Sequence, residues 1–453
     1  MLLTNLILPG RGTKDTFDVE VSESDNKIIS IQPHQSSSDG PASTPPARVL
    51  PTLCHPHIHL DKPFLLTSHN EGPDLPNYLD LAPQDGTFAE ALAKTGEAKQ
   101  RYTHADLLLR GSQLIAESIQ AGVTSMRVFV EVDHVTQFKC VEAGIELKHK
   151  FVDLCHVQLC VFAQDPGMNE EKHGFENRQL VEEAVKKYRG DIEALGTTPY
   201  VEGEADLQKK NVDWAVQLAL ENKLHLDFHL DYNLDEKSQP MVWHVIETIK
   251  KLGWADKMLD KTVVVGHCSR TTLFDTAQME ELAREIRHAQ LPVYFVGLPT
   301  SDLFMMGRPS EGEWGGSRPR GTMQILEMIK RFDLKGCIGV NNVGNAFTPW
   351  GTVDPLRLAS LCVGIYQAGT TRDAELLFEC IAALAQEAIG LKKVVVRSIE
   401  EGANALFMVV ENDANIDIGQ HSVPARKRLS VADMVWDPPD LSKRRLIGKL
   451  ATT

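Results

Sequence analysis

The chain has 453 residues, 42% of them hydrophobic, and its 47 Lys and Arg against 62 Asp and Glu leave a formal net charge of −15. That balance excludes general binding to phosphate backbones, which calls for clustered Lys and Arg, and no run approaches ~18 uninterrupted apolar residues, so neither a nucleic-acid partner nor a membrane span is expected. The length exceeds what one simple core fills, yet barrel enzymes often pass about 250 residues as a single domain.

In chain order, the opening "MLLTNLILPG" is apolar but short, without a basic start or an A-x-A-like cleavage site, and is not read as a signal peptide. Residues 1–33 read as short strands, "LLTNLIL", "FDVEVSE" and "KIISIQP", around an "SDNK" turn. Residues 34–47 form a polar Ser/Pro loop. The pattern then changes to apolar, β-branched runs alternating with helical stretches. The strand candidates are "RVLPTLCHPHIHL", "TSMRVFVEV", "VQLCVFAQ", "LGTTPYV", "LHLDFHL", "TVVVGHC", "LPVYFVGL" and "GCIGVNN". The helical stretches include 104–121, 136–152, 176–189, 207–221, 239–252, 272–289 and 321–332. Eight such units favour a (β/α)₈ TIM barrel of the α/β class, and a doubly wound sheet fits the same local pattern. After residue 390 strands return in "ALFMVVE" and "ADMVWDP". The organisation expected is a small composite β-sandwich from residues 1–48 and 391–453, beside a barrel over 49–390. The eight cysteines are scattered, with no C-x-x-C pair, which points to buried, reduced thiols and a cytoplasmic location.

The informative polar residues lie where the strands finish. His57 and His59 end the first, Gln164 the third, His229 the fifth, His267 the sixth, and Asn341 and Asn342 the eighth. In a barrel these ends converge on one face, where active sites sit. A strand puts alternate residues on one face, so His57 and His59 can grip one ion, and four convergent imidazoles suit Zn²⁺ or Fe²⁺. A lone histidine near a strand end is more often a satisfied polar residue. The H-x-H pair closing a hydrophobic strand is the more specific signal. His55 shares its parity but lies deeper, where a packed, hydrogen-bonded role is expected.

The segment "PHIHLDK" resembles that of the amidohydrolase superfamily, in its cytosine-deaminase-like branch, which also contains enzymes removing N-alkylamines from triazine rings. The likeness runs through most of the chain: "THADLLLRGSQLIAESIQAGVTSMRVFVEVD", "VFAQDPG", "LHLDFHLDYN", "VVVGHCS" and "GCIGVNNVGNAFTPWG" resemble successive family segments. The resemblance implies a barrel with a flanking sandwich, and one divalent metal ion held by His57, His59 and His229, with His267 as a further ligand or a partner for bound water. It also implies that Gln164 orients an amide-like edge of the substrate, that Trp350 shapes the pocket, and that an amine is removed hydrolytically from a cyclic amidine. Lys62 is a candidate for holding a substrate carboxylate or carbonyl, with a structural ion pair as the equal alternative. Family members commonly assemble into homo-oligomers.

Three positions depart from the family pattern. Tyr232 stands where a Glu relays protons, Asn341 (followed by Asn342) where an Asp binds metal and takes a proton, and Phe129 where a His is frequent. An amide cannot accept a proton near neutral pH, and a Tyr titrates near pH 10. Each lost acid or base usually removes ~10²–10⁴ in rate. Asp231, which shares parity with His229, and Asp302, Glu202 and Glu204 are candidate substitutes, with loop carboxylates the plainer reading of each. The candidate catalytic positions are therefore His267, Asp231, Tyr232 and Asn341. The expected function is C–N bond hydrolysis on a small cyclic nitrogen compound. The alternatives are an isomerase, lyase or cyclase on the same scaffold, or a catalytically inactive ligand-binding homologue. "GGSRPRGT" looks like a phosphate loop but lacks the Lys after its last Gly and is read as a surface loop, and residues 64–87 are read as part of a lid.

Overall fold

The computed structural model describes residues 1–35, 45–67, 72, 74–309, 319–391 and 399–450. Eight strands form one parallel sheet: β1 (Leu53–His59), β2 (Val123–Glu131), β3 (His156–Ala163), β4 (Ile192–Thr197), β5 (His225–Leu230), β6 (Val263–His267), β7 (Val293–Gly297) and β8 (Gly336–Ile338). Each pairs in parallel with the next in sequence. The last meets the first just past β8: the Asn341 N–H donates to the His57 carbonyl at 3.1 Å, and the His59 N–H to the Asn341 carbonyl at 3.0 Å. That closure makes the sheet a barrel and removes the doubly wound alternative. β1, β2 and β5–β8 are buried along their whole length, which is why they read as near-continuous apolar runs.

The outer helices fall where their periodicity places them, at His104–Gln120, Lys139–Lys150, Gly174–Lys187, Ala205–Asn222, Val242–Lys251, Thr276–His288 and Ile325–Phe332. Side-chain caps set some of their starts: Thr103 accepts from the Asp106 N–H, and Asp275 forms a reciprocal capping box with Gln278.

Both chain ends build a second, six-stranded sheet, in the spatial order Arg444–Ile447, Phe407–Val410, Ala47–Leu50, Leu2–Ile7, Phe17–Val21, Ile28–Pro33. Its own core includes Leu3, Leu6, Val19, Val49, Phe407 and Ile447. The run "RVLPTLCHPHIHL" is thus two strands. Ala47–Leu50 belongs to the terminal sheet, pairing with Phe407–Val410, and the barrel begins beyond Pro51 and Thr52. Two further expectations are corrected. In "LGTTPYV" only the first half is strand, because Pro199 opens a 3₁₀ turn over Pro199–Glu202. "ADMVWDP" is a helix, Val431–Trp436, started by Ser430 and Asp433 in a capping box that outweighs its β-like composition. A ribbon of Asn415–Ile418 and His421–Pro424 stands exposed on its own. All eight cysteines are free and buried. Among the described residues no helix is long and apolar enough to cross a membrane.

Candidate metal centre

The alternation of β1 and the closure of the barrel bring the strand-end histidines together. His229 Nε2 lies 3.0 Å from His57 Nε2 and 3.2 Å from His59 Nε2. The ligating atoms of His57, His229 and His267 all lie within 4.8 Å of one another. Gly266 makes the approach of β6 feasible, since a Cβ there would sit 3.1 Å from His57 Cε1. A tetrahedral ion with Zn–N bonds of about 2.0 Å holds its nitrogens about 3.3 Å apart, so this donor set fits a divalent ion.

The far sides of the rings decide which nitrogen is offered. His267 Nδ1 is 2.7 Å from Asp302 Oδ1, and Asp302 Oδ2 accepts from the Thr322 hydroxyl at 2.6 Å. His57 Nδ1 lies 3.6 Å from Asp227, whose other oxygen accepts from Arg127 at 2.9 Å. A carboxylate at Nδ1 keeps the proton there and leaves Nε2 as the donor lone pair. His59 differs, because its Nδ1 faces the Lys62 ammonium at 3.4 Å. Burial pushes His57 below its ordinary range; His59 and His229 fall well below it, burial first and neighbouring positive or imidazole groups adding to it. His57, His59 and His229 are thus held neutral, the form that binds metal.

Below the histidines lies an apolar floor. The Phe129 ring centroid is 4.2 Å from that of His57, and Phe162 is 4.3 Å from His229, with Cys160 and Ala194 completing the cluster. Phe129 is thus part of this floor. A second aromatic cluster gathers segments that follow β1, β4, β5, β7 and β8: Phe88, Tyr200, Tyr232, Met305 and Phe347. Tyr232 lies 4.6 Å from Phe88 and 4.7 Å from Tyr200, ring centre to ring centre. Burial pushes its phenol up, so it is neutral at physiological pH. Phe347 ties this cluster to the centre, with Lys62 Nζ 5.9 Å from its ring.

The other expected residues divide. Asn341 is buried at the seam of the barrel, and its Oδ1 finds no hydrogen-bond partner among the described residues, nor does Nε2 of the buried Gln164. Lys62 is buried in ion pairs with Glu131 and, at 3.4 Å, with Asp61. Asn342 accepts from Asn345 at 2.8 Å. His55 is packed as expected, 3.2 Å from the Ser118 hydroxyl.

Two candidates lie elsewhere. Asp231 does not continue β5: the chain turns at a φ of 45°, and its carboxylate accepts from the N–H groups of Met241 and Val242 at 2.9 and 3.0 Å, at the start of the next helix. Burial pushes this carboxyl up to about 6. Trp350 is 48% exposed and lines a separate surface cavity with Val340, Thr352 and Leu358. The turn at Asn345–Thr348 brings Phe347 to the aromatic cluster instead. Glu202 holds the loop after β3, accepting from Gly167 N–H at 2.8 Å and Asn211 at 2.7 Å, and Glu204 is exposed. Of "GGSRPRGT", residues 315–318 lie outside the described residues, as do 68–71 and 73 of the expected lid. Asp227 and Arg127 were missed, although Asp227 shares the parity of His229 in "LHLDFHL".

No family model matches the chain. A curated relative, the N-isopropylammelide isopropyl amidohydrolase of Pseudomonas sp. (strain ADP), is 22% identical over 369 residues, covering 80% of each chain. The 5-methylcytosine deaminase from Klebsiella pneumoniae, solved with phosphonocytosine, superposes with a TM-score of 0.76 at 18% identity, over 99% of this chain and 96% of that one. The atrazine chlorohydrolase TrzN from Arthrobacter aurescens TC1, solved with zinc, gives 0.59 at 16% identity over 96% and 91%.

Proposed function

We propose that this chain, a divergent member of the amidohydrolase superfamily, is a metal-dependent hydrolase that cleaves a C–N bond of a small cyclic nitrogen compound. The observation that carries this reading is the convergence of His57, His229 and His267, with Asp302 bonded to His267 Nδ1 and Asp227 facing His57 Nδ1 at 3.6 Å. These three, with His59 at the edge, would hold one Zn²⁺ or Fe²⁺; an atrazine chlorohydrolase of the same fold carries zinc. Such an ion supplies, when bound, a Lewis acid and a water whose pKa falls from about 16 to about 7.

The chain's own residues do the rest. Gln164 has a free amide donor for a carbonyl-like edge of the ligand, and Asn341 Oδ1 has a free acceptor. Phe88, Tyr200, Tyr232 and Phe347 supply flat apolar faces that suit a planar ring and exclude water. Tyr232 and Asn341 border the ligand without accepting protons, and His267, fixed by Asp302, presents Nε2 to the centre.

The test is metal analysis of protein purified without chelators, joined to assays for ammonia or alkylamine release from pyrimidines, triazines and cyclic amidines. About one ion per chain with amine release is the expected result. The replacement of two proton-handling residues by Tyr232 and Asn341 favours a second reading, a non-hydrolytic isomerase, lyase or cyclase, for which the ion is present and no substrate releases amine. Less than about a tenth of an ion per chain would instead mark an inactive ligand-binding homologue.

A further inference from the structure

An ion gathered by imidazoles alone would be a buried double positive charge with no anion among its ligands, an arrangement that needs a countercharge nearby. Three groups of carboxylates touch the histidines. Asp227 is already bonded to Arg127 at 2.9 Å. Asp61 and Glu131 lie with their oxygens within 4.8 Å of a His59 nitrogen, but both are paired with Lys62, and Glu131 is shared with Lys99 at 2.5 Å. Asp302 is different. It is 1% exposed, one oxygen is 2.7 Å from His267 Nδ1, the other accepts from Thr322, and among the described residues no Lys or Arg pairs with it.

We infer that Asp302, acting through His267, supplies the centre with the negative charge that Asn341 no longer provides. The carboxylate stands on the short helix Pro299–Met305 after β7, not at the eighth strand end, one imidazole away from the ion. There it fixes the His267 tautomer and balances the cation without occupying a coordination position. This inference rests on the metal-site reading above and names a positioning residue for it.

The experiment is the zinc dissociation constant, measured by competition with a chromogenic chelator, for the parent chain, Asp302→Asn, Asn341→Asp and the double variant. The thermal midpoint of each metal-free form is measured alongside. Asp302→Asn should weaken zinc binding about 10- to 100-fold. Adding Asn341→Asp in that background should recover most of the loss, and should gain far less in the parent, where Asp302 is present. A purely structural Asp302 would lower the metal-free midpoint and leave the dissociation constant alone. Equal zinc affinity in parent and Asp302→Asn overturns the inference while leaving the metal-site reading intact; a parent that binds no zinc overturns both. If Asp302→Asn does not fold, the charge-conserving double variant decides. Zinc held within about tenfold of the parent supports the inference, and a loss beyond about 100-fold rejects it.

Discussion

Two buried polar clusters lie side by side at the rim of the barrel, and they are solved in opposite ways. At the ends of β1–β3, Lys99 Nζ lies 2.5 Å from Glu131, 2.9 Å from Asp133 and 3.2 Å from Asp165, while Lys62 pairs with Asp61 and Glu131. Burial alone would lower Lys99, but Glu131, Asp165 and Asp133 outweigh it and push it well up. Beside this network, at the ends of β1, β5, β6 and β8, four imidazoles and an amide are gathered, and burial holds His57, His59 and His229 neutral. The first cluster contains its own opposite charges. The second collects lone pairs and, on the function proposed above, would be completed by a cation from outside. Equal depth and polarity thus serve the scaffold in one place and, on that proposal, a ligand in the other.

The sharpest way to break this contrast is Lys62→Met, which leaves Asp61 and Glu131 short of their cation. Removing one partner of a buried pair costs about 3–5 kcal/mol, so the urea midpoint should fall steeply, whether or not metal is supplied. A Lys62→Met protein of parental stability would show that the network is not a set of obligate ion pairs. Metal removal should act on the other cluster and be reversible. Stripping the ion with a chelator should cost about 3–4 kcal/mol relative to protein held at 100–1,000 times its dissociation constant. Calorimetry with and without added zinc measures this, and His229→Ala should abolish the difference.

The barrel was legible because its signals are local: apolar strands, amphipathic helices, and a period of two that places His57 and His59 together. The centre was legible for the same reason, since strand ends converge once the barrel is assumed. What lay beyond each strand end was not. Parity carries Asp231 onto the face of His229 only if the strand continues, whereas the chain bends there and the carboxylate caps a helix. The aromatic cluster joins segments following five strands, so no local window contains it. The helix at Val431–Trp436 was legible in principle, through the "SVAD" capping box.

Tyr232 and Asn341 are uncharged groups whose part in proton handling can be tested by introducing acids. Tyr232→Glu with Asn341→Asp introduces two acids, and it also sets one of them among Phe88 and Tyr200. A stability cost of about 1–3 kcal/mol is expected from the poorly solvated carboxylate. Amine release from the ring panel should appear or rise at least tenfold if the pocket still seats the substrate. A folded double variant with no new activity would show that the aromatic cluster, not the missing acids, defines the reaction.

A milder contrast separates His55 from the clustered strand-end histidines. Burial pushes His55 down to about 3 from an ordinary 6.5. Above pH 6.5 it is neutral both folded and unfolded and contributes no pH dependence. Between about 6.5 and 3 only the unfolded chain takes up the proton, so stability falls by at most about 1.4 kcal/mol per pH unit for this one ring. His55→Gln should reduce the acid slope of the denaturation midpoint by that amount in metal-free and zinc-loaded protein alike. A change confined to the zinc-loaded form would place His55 in the metal centre.

Trp350 should matter least. It stands half-exposed in the loop after β8, lining a cavity with Val340, Asn342, Thr352 and Leu358. The loop reverses at Asn345, whose side-chain oxygen accepts from the N–H groups of Phe347 and Thr348 at 3.0 and 3.2 Å. That reversal puts Phe347 beside Lys62, while Trp350 lines that cavity. Trp350→Ala should therefore shift stability by no more than about 0.5 kcal/mol and leave kcat/KM within about twofold. A tenfold or greater fall in kcat/KM at unchanged stability would mean that the ligand extends to the outer cavity. The aromatic wall would then continue through Trp350, and the boundary drawn at Phe347 would be wrong.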